Sequence, residues 1–90
     1  MKFEWDNKKA ASNQKKHGVT FEEASTALSD FLSITVPDPL QYEERFVTIG
    51  VSDNQRLLVV VHTDKGMAIR IISARLATSN ERKRYEKHGH

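Results

Sequence analysis

Ninety residues with a net charge of +2 and 38% hydrophobic content suit one domain, 1–90, around a single modest core. There is no cysteine, which excludes disulfides and thiolate metal sites. The longest aliphatic run, Leu57 to Val61, is too short to cross a bilayer. The amino-terminal "MKFEWDNKK" lacks a signal-peptide core, so a cytoplasmic protein with no membrane partner is expected.

In chain order, "FEW" reads as a short first strand. Asp6 can then cap a helix that runs through His17 and stops at Gly18. That helix has only Ala10 and Ala11 as apolar residues, so it must be held by neighbours or by a ligand. Its lysines fall into two pairs at seven-residue spacing, Lys8 with Lys15 and Lys9 with Lys16. Thr20 and Glu23 read as a capping box, with each side chain bonded to the other's backbone amide. The short helix that follows turns Phe21, Ala24 and Leu28 inward. "FLSITV" reads as a strand ended by "PDP".

Three strands are predicted next, "RFVTIGV", "LLVVVHT" and "MAIRIISAR". The first two are joined by "SDNQR" and the last two by a three-residue hairpin loop, "DKG". That register sets Val60 opposite Arg70 and puts His62 and Arg70 on one face. Val59, Val61, Ile69 and Ile71 would form the other, apolar face against the helices. A two-residue loop would instead separate His62 from Arg70. A second capping box, Thr78 to Glu81, opens a last helix through about Lys87.

Charge is strongly segmented. Residues 1–18 hold five lysines against Glu4 and Asp6, a net +3. Residues 19–44 hold six acids and no lysine or arginine, and residues 45–90 carry +5. The two basic ends either converge on a polyanion or form ordinary solvated faces. Arg70 lies mid-strand, where a charge needs an open face or a partner. His62 reads either as a satisfied hairpin histidine or as a group for proton transfer. Trp5 reads as core. No histidines share a helix at metal-ligand spacing, the terminal "HGH" is too exposed for a structural site, and there is no Gly-rich phosphate loop. No metal or other cofactor is expected.

"FEWDNKKAASNQKKHGVTFEEA", "ERFVTIGVSDNQRLLVVVHT" and "IRIISARLATSNERKRYE" follow one another in this chain. Together they resemble the BrnT family of type II toxins, and the resemblance runs from Phe3 to Glu86. It implies an α+β, RelE-like fold, with N-terminal helices on an antiparallel β-sheet and a C-terminal helix. It also implies metal-independent mRNA cleavage and neutralisation by a BrnA-type antitoxin. Operator DNA would be reached only through that antitoxin. In metal-free cleavage the 2′-hydroxyl attacks its own phosphate, so a base, an acid and phosphate-holding cations are needed. Arg70, Arg75, His62, Glu44 and Arg45 are the expected catalytic set. Lys8, Lys15, Lys16, His17, Arg82 and Arg84 are expected to bind RNA. Tyr85 would either stack on a base or pack on the sheet. The competing reading is a non-catalytic module that docks an acidic antitoxin segment and acts as corepressor.

Overall fold

The computed structural model describes residues 2–38 and 44–88. Pro39 of the expected "PDP" turn and His90 of the tail lie outside the described residues. Capping sets where the helices begin. Asp6 accepts from the backbone of Lys8 and Lys9 at the start of α1, Asn7–His17, and Gly18 closes that helix at φ 70°. Thr20 accepts from Glu23 N–H at the start of α2, Phe21–Ala27. Only half of that capping box forms, because the Glu23 carboxylate turns to Arg56 and Ser52 instead. At α3, Ser79–His88, both halves form between Thr78 and Glu81.

The strands are β1 Lys2–Glu4, β2 Ile34–Pro37, β3 Phe46–Val51, β4 Leu57–Lys65 and β5 Ala68–Leu76. They form one sheet in the order β1-β5-β4-β3-β2. The sheet is mixed rather than antiparallel, since β1 runs parallel to β5 at its edge. That pairing is possible because α1 and α2, with three strands, intervene between the two.

The β4–β5 hairpin differs from the sequence expectation. Lys65 pairs with Ala68, so the loop is the two residues Gly66 and Met67. Gly66 has φ 63° while Met67 does not share the left-handed region, the arrangement of a two-residue turn with glycine first. Arg70 therefore faces Thr63 rather than Val60. Ile72 is left out of the ladder between the Ser73–Val61 and Ile71–His62 pairs, a bulge in β5.

Both faces of the sheet carry helices. On one, Leu58, Val60, Ile71 and Ala74 pack against Val19, Phe21, Ala24 and Ala27, with Trp5 edge-on to Phe21. On the other, Ile49, Leu57 and Val59 pack against Ala77 and Tyr85 of the α3 segment. The expected apolar face is thus split: Val59 and Val61 point to the α3 side, and Ile69 and Ile71 to the α1–α2 side. At Gly50, a Cβ would collide with the Ala27 carbonyl oxygen, so the end of α2 rests directly on β3.

Asn13 explains how the polar α1 stays attached. Its Nδ2 donates to Val19 O at 3.0 Å and Ala74 O at 2.8 Å, and its Oδ1 accepts from Ala74 N–H at 3.1 Å. The amide takes the place of a strand on the outer edge of β5. Asn13→Ala strands three buried backbone groups at about 1–3 kcal/mol each. We expect a loss of about 3 kcal/mol, which lowers the melting temperature by roughly 12–24 °C in a domain this small. Thermal unfolding checks it.

Candidate functional site

Arg70 and Arg75 are five residues apart, and in a regular strand they would point to opposite faces. The bulge at Ile72 reverses this. Arg70, Ser73 and Arg75 lie opposite Thr63, Val61 and Val59, all on the α3 side of the sheet. All three are half-buried. Among the described residues Arg70 makes no ion pair, although its charge helps to lower the pKa of Asp6 behind the amides of Lys9 and Lys8. Thr63 beside it is buried, and its hydroxyl has no hydrogen-bond partner among the described residues. Glu4 is the neighbour of Arg70 on β1, so an exposed carboxylate borders the row.

Arg75 is already engaged. Its two terminal nitrogens donate to the two Glu81 oxygens at 2.8 and 2.9 Å, fork to fork. It ties the end of β5 to the first turn of α3, so it is a structural member of the row as well as a cationic one. Arg45 is half-buried and its carbonyl accepts from Asp38 N–H. Phe46 faces His62 on the α1–α2 side, so alternation turns Arg45 towards the arginine row and Glu44 away from it.

His62 does not join them. It sits on the opposite face, 3% exposed, and stacks on Phe46. Its Nε2 lies 2.7 Å from Thr48 Oγ1, which in turn lies 2.7 Å from Thr35 Oγ1. Its Nδ1 lies 3.2 Å from Asp64. Burial pushes its pKa below the usual imidazole range, against the pull of Asp64. The two-residue loop has separated His62 from Arg70, and this histidine fits a buried polar chain rather than proton transfer beside the arginines.

On α1, Lys8 and Lys15 are exposed. Lys9, Ser12, Lys16 and His17 are exposed too, and with Asn13, Ile72 and Ser73 they line an open cavity of about 210 Å³. Arg82 and Arg84 are exposed on α3. Tyr85 packs on the sheet and donates to Asp30, with its pKa raised to about 12 by burial and by that carboxylate. Packing on the sheet is thus the role the structure gives it. Sequence reasoning missed Asn13, Ser73 and Glu4 as parts of this region. A hydrophilic residue on the inner stripe of a helix was the one signal available for Asn13.

Fold and face together define a small mixed-sheet domain with helices on both sides and a cationic row on one. Residues 5–81 match the family model described as the ribonuclease toxin, BrnT, of type II toxin-antitoxin systems, and the chain belongs to that family. A solved relative is the Brucella abortus ribonuclease toxin, BrnT, 28% identical with a TM-score of 0.69 over 87% of this chain and 97% of that one. No curated protein matches. Membership makes RNA the substrate class and an antitoxin protein the partner at the level of the family. Among the described residues no helix is long and apolar enough to cross a membrane.

The ion pairs give a pH prediction. Hydrogen bonds from Arg75 hold Glu81 at about 2 instead of 4.5, and Arg56 does the same for Glu23. A folded pKa below the unfolded one stabilises above the unfolded value, and that stability is lost as pH falls from about 4.5 towards about 2. Glu23→Gln and Glu81→Gln should each lower stability at neutral pH and flatten the acid limb. Urea midpoints measured against pH check this, with the larger flattening expected for the more buried Glu23.

Proposed function

We propose that the chain is an endoribonuclease toxin that cleaves mRNA without a metal, on the α3 side of its sheet. The observation that carries this is the bulge, which gathers Arg70, Ser73 and Arg75 on one face. A guanidinium fork that never deprotonates suits the doubly anionic phosphorane. In the step, the 2′-oxygen bonds to phosphorus and the bond to the 5′-oxygen breaks. The products are a 2′,3′-cyclic phosphate and a 5′-hydroxyl, whose oxygen takes its proton from solvent water as it leaves. Arg70 holds the phosphorane, Arg45 flanks it, and Arg75 frames it while pinning α3. Glu81 is a weak base at a pKa of about 2, so Glu4 beside Arg70 is the carboxylate proposed to take the proton.

Lys16, His17, Arg82 and Arg84 supply a field that draws RNA in, and this part of the binding weakens with salt. A BrnA-type antitoxin that covers the Arg70 face would silence the toxin in the cytoplasm and connect it to operator DNA.

Arg70→Ala should slow RNA cleavage about 10²–10³-fold with little change in thermal unfolding, and Arg70→Lys should recover only part of the rate. Arg75→Ala should lose both rate and stability, because it leaves Glu81 without its fork. Glu4→Gln should lose rate, whereas Glu44→Gln, turned away from the row, should keep it. A folded Arg70→Ala protein that cleaves at the wild-type rate and still arrests growth would remove this assignment. If the lone wild-type chain left mRNA intact, the docking module would replace it.

A further inference from the structure

The cavity between α1 and β5 lies outside the arginine row yet shares Ser73 with it. Lys9 and Lys16 flank Asn13 at four residues before and three after, so they ride on the stripe that Asn13 pins to the sheet. Cations in the last turn of α1 complement the helix dipole, which accounts for Lys15, Lys16 and His17. Lys9 is different. It stands in the first turn, where the dipole disfavours a cation and only the capping carboxylate of Asp6, just outside the helix, offsets it.

The floor of the cavity is equally specific. Pairing of β1 with β5 stops at Arg70, and Asn13 takes up the edge again at Ala74. Between them, where Ile72 bulges, no strand among the described residues covers the edge of β5. Among the described residues the lining therefore combines two lysines, a histidine, the Asn13 amide and the hydroxyls of Ser12 and Ser73, without a carboxylate. That is donor chemistry for a phosphate.

We infer that this cavity is a second phosphate subsite, which takes a backbone phosphate of the RNA next to the one held on the arginine row. The inference rests on the ribonuclease reading. Ser73 and Arg75 are about 7 Å apart along the strand, so one polyanion with regularly spaced charges meets both places. An acidic protein segment has no such spacing to match and is the less favoured occupant.

The test is binding of a labelled, 2′-O-methylated single-stranded RNA of about eight nucleotides to the full chain, followed by anisotropy across a salt series. Lys9→Gln with Lys16→Gln is compared with Lys8→Gln and Lys15→Gln, the same loss of charge from the same helix on a different stripe. The first pair should weaken binding the more, and should flatten the salt slope by about 0.7 for each phosphate no longer neutralised. With unmodified RNA it should raise KM for the longer RNA more than for a dinucleotide. Equal losses from the two pairs, or none from either, would overturn the subsite. So would polyglutamate that competes with RNA on the wild type but not on the Lys9 and Lys16 variant, which would assign the cavity to an acidic protein segment. The two readings separate cleanly. Cleavage that depends on Arg70 with no difference between lysine pairs keeps the ribonuclease and rejects the subsite. A difference between the pairs in a protein that cleaves nothing keeps an RNA site and rejects the catalytic face.

Discussion

One side-chain amide decides where the first helix of this protein sits. α1 has almost no apolar surface to bury, so the hydrophobic effect cannot seat it. Asn13 does so by hydrogen bonding like a piece of β-strand, with Ala74 N–H and C=O on one side and Val19 O on the other. Because these groups are buried, the geometry is strict: leaving any of them unmet is costly. The position of the basic stripe of α1 relative to β5 follows from that constraint, as does the placement of the turn into α2.

The acidic middle of the chain, which first looks like a counterweight to the basic ends, is partly scaffold. Glu23 binds Arg56 and Ser52, and Arg56 also reaches Gly18 O. This ties α2, the β3–β4 loop and the end of α1 together. Asp30 accepts from Tyr85, Val51 N–H and Leu32 N–H, which joins α3 to the opposite side of the sheet. Carboxylates consumed in this way do not shield the cations of β5. Two acids of the middle segment, Glu23 and Asp30, thus serve the frame, while the lysines of α1 and the cations of α3 stay exposed.

Local signals in the sequence translated well. Asp6, Gly18, Thr20 and Thr78 mark helix ends because capping acts within a few residues. Strand identities were equally readable from their apolar, β-branched runs. Register was not, because one residue of difference in a loop moves every side chain to the other face. Gly66 satisfies a left-handed position in either loop, so its presence alone did not choose between them. The bulge at Ile72 leaves no compositional trace, since isoleucine suits a regular strand as well. Two shifts of register, one at the turn and one at the bulge, account for what was misplaced at the candidate site. The turn puts His62 and Arg70 on opposite faces, and the bulge returns Arg75 to the face of Arg70. Parallel pairing of β1 was also illegible, because three residues carry no sign of direction.

Gly50 has a consequence for genetics. The Ala27 carbonyl occupies the space that any side chain there would need, so every substitution lifts α2 from the sheet and loosens the core beneath it. In a family of toxins, variants are recovered by whether the host cell survives them. Such a screen rewards a chain that fails to fold as readily as one that folds without chemistry. Survivors at position 50 would then accumulate far from the arginines and report on packing, and a map of escape mutations drawn without an abundance measurement would place the active surface on the wrong side of the sheet.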